Sequence, residues 1–397
     1  MSNFSRITVT IGDGGTGRLP AGKDWYTGVI FQNATKPVAF GTGNIVRVYS
    51  LNEAITKGIT QALFPVEYYH ISEYFRILAL NSKEAFLDVG IYPIVLDTFD
   101  GAEIDLMQAN ANGELRQIGV YLIDAYKVAD IGICNVKATA LDDAGTPTSI
   151  YFSADIADAD VLIDLRSNDY KWVSTILGQD GEGAGSALYL AQGYSIGCIG
   201  AVLGQTAISA VHEFIGIGAR TINGPTEFQV PALADGQLVK DKTKTQIQLL
   251  TQQGYTLAVP IQSLGTCFDT DAVTAASETS DFQEQSANRV IGKIKRKSIL
   301  KLAPDRNIPL YINPTTGKLK ESTMQYFISK LNDTLLELAT ANEINTDENG
   351  NLPKNSVTID PEQNVIATNT ILINVKASKV GAASNINVTL GYAVTIN

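Results

Sequence analysis

Five short runs in the middle of the chain are apolar almost without interruption: IYPIVLDTF from Ile91, QIGVYLIDAY from Gln117, ADIGICNVKA from Ala129, ADVLIDL from Ala159 and KWVSTILG from Lys171. A strand with one wet face alternates polar and apolar residues. A run without alternation fits a strand covered on both faces, as in parallel sheets with helices above and below. Helical text lies between and after these runs, in NSKEAFLDVG from Asn81 and in the long ALYLAQGYSIGCIGAVLGQTAISAVHEFIG from Ala187. The order predicts an α/β body with parallel or mixed strands. With 397 residues there is room for two or three domains.

The flanks read differently. Residues 6–11, RITVTI, alternate as a short strand and run into the glycine-rich GDGGTGRLPAGKD; the pattern resembles an extended arm on a hinge. A β-like stretch from Trp25 to Phe40 follows, then YSLNEAITKGI, where Ser50 and Glu53 have capping-box spacing. YYHISEYFRIL comes next, rich in aromatic and β-branched residues. From Gly254, GYTLAVPIQSLGTCFDTDAVTAAS predicts two strands and a turn, and SDFQEQSANRVIGKIKRKSILKLAP predicts a helix ending before Pro304. A second helix over 322–344 sets Met324, Phe327, Ile328, Leu331, Leu335 and Leu338 on one face. The polar connector NTDENGNLPKNS leads to two alternating strands, TNTILINVKAS and SNINVTLGYAVTIN.

Composition narrows the function classes. A net charge of −11 argues against nucleic acid as the main partner, since phosphate binding needs clustered Lys and Arg. Three dispersed cysteines, Cys134, Cys198 and Cys267, imply neither a disulfide framework nor a metal knuckle, and a reducing compartment is expected. The opening MSNFSRITVTIGDGG has no apolar h-region, so no secretory leader is expected. Residues 187–204 hold four glycines, Gln192 and Ser195, which suits a closely packed small-residue helix better than a membrane span.

Motifs of chemistry are present only in fragments. Gly12 to Gly17 satisfies G-x-G-x-x-G, but Pro20 and Gly22 interrupt the helix a dinucleotide would need, and Thr35 and Lys36 stand where an acid is required. The turn GQDGEGAGS, residues 178–186, is the better-placed anion candidate, yet it lacks Gly-Lys-Ser/Thr and carries Asp180 and Glu182. NTDENG begins like a calcium loop, but Pro353 and Ser356 occupy later ligand positions. His212-Glu213 has Ile215 where H-E-x-x-H needs its second histidine, and His70 reads as a core residue. No cofactor and no catalytic or metal-ligating residue is expected. The basic run Lys293, Lys295, Arg296, Lys297, with Lys301 beyond it, reads as a solvated helix face or as a docking element for an acidic partner.

In its order of pieces the chain resembles the contractile tail sheath proteins of phages and of injection machines derived from phage tails. The resemblance is carried by ISEYFRI and the α/β middle, by WVSTILGQDGEGAGSALYLAQGYSIGCIGAVLG and by GYTLAVPIQSLGTCFDTD. It continues through SDFQEQSANRVIGKIKRKSIL, the helix over 322–344 and the closing strand pair. It departs from the family at the front, where SRITVTIGDGG replaces the usual Pro-Gly-Val-Tyr-like start.

The resemblance implies a mixed α/β, tail-sheath-like chain. Residues 1–24 would be an N-terminal arm and hinge, 25–253 an α/β outer domain, 254–377 an inner domain with a mixed sheet flanked by helices, and 378–397 a C-terminal β arm. The implied function is structural and not enzymatic: hexameric rings stacked around an inner tube, contracting from a metastable extended state. The implied partners are further copies, the tube, the baseplate and the tail terminator, with no nucleic acid and no membrane insertion. The setting would be a virion tail or phage-tail-like particle assembled in the bacterial cytoplasm.

The arm residues are then Ile7, Val9 and Ile11 at the front, and Ile386, Val388, Leu390, Tyr392, Val394 and Ile396 at the back. Lys293, Lys295, Arg296, Lys297 and Lys301 become candidates for tube contact. Elementary physics supports the arms, because an unpaired strand with a full apolar face is an aggregation hazard and adding it to a neighbour's sheet removes that hazard. A hairpin within the chain is the alternative partner for the last strand. Another phage-type structural protein, such as a tube or capsid component, and an α/β enzyme built on residues 178–185 are the competing functions.

Overall fold

The computed structural model describes residues 23–40, 45–81 and 90–382. In chain order the elements are β1 (Thr27–Gln32), α1 (Leu51–Thr56), α2 (Pro65–Asn81), β2 (Ile91–Leu96), α3 (Ala102–Asn110), β3 (Gln117–Ala125), α4 (Val128–Asp143), β4 (Ser149–Asp155), β5 (Val173–Ile176), β6 (Gly178–Asp180), α5 (Ala184–Gln192) and α6 (Ile199–Ile208). They continue with β7 (Pro231–Leu233), α7 (Lys244–Gln252), β8 (Tyr255–Thr256), β9 (Ala258–Ile261), β10 (Gly265–Phe268), α8 (Gln285–Leu302), α9 (Glu321–Thr340), β11 (Val357–Ile359), α10 (Val365–Thr368) and β12 (Ile373–Val375).

Six strands form one parallel sheet in the order β2-β1-β3-β4-β5-β8. Its strands are buried on both faces, as their unbroken apolar text requires. Alternate side chains feed two layers. Ile30, Ile118, Val120, Ile150 and Phe152 pack with Ile104 and Met107 of α3, Ile131 and Cys134 of α4, and Ile247 of α7. Val29, Phe31, Tyr121 and Tyr151 face the other way, onto α2 and α6. A second, smaller core joins Val290 and Ile294 of α8 to Leu331, Leu335 and Leu338 of α9 and Val357 of β11. Met324, Phe327, Ile359 and Val365 extend it.

Several expectations are met. Ser50 accepts from the Glu53 amide while the Glu53 side chain accepts from the Tyr49 amide. The antiparallel hairpin β9–β10 and the helices α8 and α9 lie where they were read, with Met324, Phe327, Leu331, Leu335 and Leu338 buried.

Others are corrected. ADIGICNVKA is part of helix α4, whose buried Ile131, Cys134, Ala138 and Leu141 recur at helical spacing. ADVLIDL is no strand but two 3-10 turns, Ala159–Val161 and Leu165–Asn168, fixed by Asp158 and Asp164 accepting from the Asp160 and Arg166 amides. The long helix from Ala187 is broken after Gln192, where Gly193 takes a left-handed φ of 77°. YYHISEYFRIL is in α2, and β4 and α3 had no counterpart in the reading. The helical text at 82–89 falls outside the described residues.

Candidate functional site

Doubly wound sheets hold ligands outside the carboxyl ends of their strands, where the strand order reverses. Here that point lies between β1 and β3, and the chain's own side chains stitch it shut. The Gln32 amide donates to Asp124 Oδ2 at 2.7 Å and to the Asp97 carbonyl at 3.2 Å. Its oxygen accepts from the Ile123 and Asp124 amides. Asn33 beside it donates to Glu67 Oε1 at 2.7 Å.

The glycine turn at 178–186 is filled in the same way. Asp180 is fully buried, and its Oδ1 accepts from the Gly183 amide at 3.1 Å and from the Phe228 amide at 3.0 Å. Burial pushes its carboxyl up and the amide bonds pull it back. A phosphate would have to displace a carboxylate that already sits in the turn. Asp347, in the calcium-like loop, likewise accepts from the Asn349 and Asn351 amides and so closes a turn. Among the described residues no group of acids, histidines or cysteines is arranged to hold a metal ion, and no helix is long and apolar enough to cross a membrane. His70 is enclosed by Phe31, Tyr69 and Tyr121, its ring centroid 4.6 Å from that of Tyr121, and burial drives its pKa down to about 3. It is a neutral aromatic of the core.

The basic run stands on α8, and each cation meets a carboxylate of its own chain. Lys293 bridges Asp24 at 2.7 Å and Glu343 at 2.5 Å. Lys295 meets Asp142 at 3.0 Å and Arg296 meets Asp24 at 2.6 Å. Lys297 pairs with Glu337 and Lys301 with Asp333, and these two side chains stay 37% and 35% exposed. Arg289, on the same helix, donates to the carbonyls of Thr206, Ser209 and Ala210 at the end of α6. Sequence reading saw the charges and missed their partners, which lie 40 or more residues away except for Asp333, the partner of Lys301 on α9.

Beyond α8 the molecule offers an open surface. The hairpin β11–β12 is a two-stranded sheet among the described residues. Beside it runs a groove of about 620 Å³ with an apolar wall of Leu302, Ile308, Leu310, Phe327, Ile371 and Ile373. Tyr311 and Leu372 are strongly exposed nearby. Nothing in the local sequence announced this groove, because residues 298–331 and 365–375 contribute to it together. Ile7, Val9 and Ile11, and Ile386, Val388, Leu390, Tyr392, Val394 and Ile396, lie outside the described residues.

The fold aligns over almost its entire length with the helical sheath of the anti-feeding prophage in its contracted state. The TM-score is 0.61 at 14% identity, covering 99% of this chain and 98% of that one. The chain has the tail sheath fold. The contracted sheath complex of the extracellular contractile injection system PVC shares it, with a TM-score of 0.56, 11% identity and coverage of 99% and 96%. So does the sheath tail protein Lin1278 from Listeria innocua, with a TM-score of 0.55, 9% identity and coverage of 90% and 92%. At the sequence level, a family model described as DUF2586, C-terminal domain, matches residues 281–397. No curated protein matches the chain.

Proposed function

We propose that the chain is a structural subunit of a contractile sheath, polymerising as stacked hexameric rings around an inner tube and shortening from a metastable extended form. The observation that carries this reading is the end-to-end correspondence with the anti-feeding prophage sheath, which spans 99% of this chain and 98% of that one. The closed switch point at Gln32 and the filled turn at Asp180 support it from the other side, since they leave an enzymatic reading without its two best-placed sites.

In this reading residues 2–11 and 386–397 are the arms, and a neighbour's strand adds to the β11–β12 hairpin above the apolar groove. Backbone pairing would give the link its strength and the groove would take alternate side chains. The tube, baseplate and tail terminator are the other partners, in a virion tail or phage-tail-like particle assembled in the bacterial cytoplasm. Lys297 and Lys301, the most exposed of the five cations, are the tube-facing candidates. The inner unit is better begun near residue 281 than at 254, because Tyr255 and Leu257 belong to one layer of the large sheet and Ala258 and Phe268 to the other. The work of contraction would come from interfaces, each ~100 Å² of extra apolar burial per subunit contributing about 2.5 kcal/mol.

Deleting residues 384–397 tests the arm. The shortened chain is expected to stay folded and to remain in the supernatant under conditions where the full chain sediments as polymer. Normal polymer from the shortened chain would refute the assignment.

A further inference from the structure

Both ends of the described chain are tied to one side chain, the first directly and the last through a short strap. Asp24 is among the first described residues, and its carboxylate is held by Lys293 Nζ at 2.7 Å and Arg296 Nη2 at 2.6 Å. Those two cations are three apart on α8 and share a face. Lys293 Nζ also meets Glu343 Oε1 at 2.5 Å, just past the end of α9. Two residues further on, the Asn345 amide donates to the Ser378 carbonyl at 2.9 Å and the Asn345 side chain to the Lys379 carbonyl at 2.6 Å. Ile344 between them is buried in the core of α8, α9 and β11, so Glu343 and Asn345 cannot move independently. Lys379 in turn pairs with Glu284 at the start of α8.

We propose that Lys293 is a shared pin that couples Asp24, among the first described residues, to Ser378 and Lys379, among the last, through the strap Glu343-Ile344-Asn345. The mechanical purpose rests on the sheath reading: a pull on one terminal segment would reach the other through one lysine and three strap residues, without passing through the six-stranded sheet. The geometry suits this. Lys293 and its two carboxylates are each at most 18% exposed in their side chains, so water screens the pairs weakly. Lys295, two positions along, points to Asp142 on α4 and takes no part.

Hydrogen exchange on the full chain in dilute solution, before any assembly, tests the pin, so its failure is separate from a failure of the sheath reading. Lys293→Met keeps the aliphatic stem and removes both ion pairs. It is expected to speed exchange about tenfold at both ends together. At the entry the reporter is the Arg116 amide, which donates to the Tyr26 carbonyl; at the exit they are the Asn345 and Lys376 amides, which donate to the Ser378 and Ser356 carbonyls. Lys295→Met should change neither end, and the β3 and β4 amides should keep their protection in both variants. Asp24→Asn combined with Glu343→Gln should show a non-additive effect. Acceleration at one end only, at neither end, or equally across β3 and β4 would overturn the proposal, as would an identical response to Lys295→Met.

Discussion

At the scale of single residues, the chain spends its potentially reactive groups on structure. Asp180 acts as the internal anion of a glycine turn, and His70 acts as an aromatic. His70 has a measurable signature. Its folded pKa of about 3 lies below the ordinary 6.5, so the unfolded chain takes up the proton first. Its contribution is therefore intact above about pH 6.5 and is lost as pH falls toward 3, by about 1.4 kcal/mol per pH unit. Glu67, Glu73, Asp180 and Asp271 oppose this trend, since burial raises each of them and their contribution recovers as pH falls. The difference between His70→Phe and the parent isolates the histidine. Urea unfolding at a series of pH values should show the variant gaining on the parent steadily below pH 6.5, whatever constant offset the larger ring imposes. A difference that does not change with pH would mean that His70 is protonated or solvated in the fold. The two-histidine composition and the absent second ligand of His212 made the core reading legible from sequence. The Asp180 turn was legible only as a glycine-rich stretch, because the Phe228 amide that completes it comes from 48 residues away.

At the scale of elements, legibility followed the length of the pattern. Helix α9 carries its apolar stripe over five turns and was read almost to its ends, whereas α4 was taken for a strand because Ile131, Ile133 and Val136 look β-like in a ten-residue window. The buried positions of α4 become periodic only when the window reaches Leu141. Only the second half of the small-residue segment packs closely, the first half being largely exposed on α5, and the reason is specific. Residues Ile199 to Ala207 of α6 are all buried between β3 and α2. A Cβ on Gly200 would lie 2.1 Å from the His70 carbonyl oxygen, and one on Gly204 would lie 2.9 Å from that of Tyr74. Both obstacles are backbone, so the helices would have to separate. Gly200→Ala should cost more than about 2 kcal/mol in urea unfolding, although alanine is the better helix former. A neutral or stabilising effect would contradict the close α2–α6 approach.

At the scale of the whole molecule, the sheet order, two packed layers and a second core on α8 and α9 make a body whose conventional ligand positions are closed and whose C-terminal hairpin stands beside an open apolar groove. The groove was not visible in sequence, since it and the ion pairs of α8 are assembled from segments far apart along the chain. The basic run shows the same limit: its spacing was plain, but Asp24 and Glu343, which hold Lys293, lie 269 and 50 residues away. Electron microscopy of the purified full-length chain at concentrations that favour polymer tests the sheath claim most directly. Hollow, helically striated sleeves are the predicted result; discrete monomers at every concentration, or smooth unstriated tubes, would contradict it.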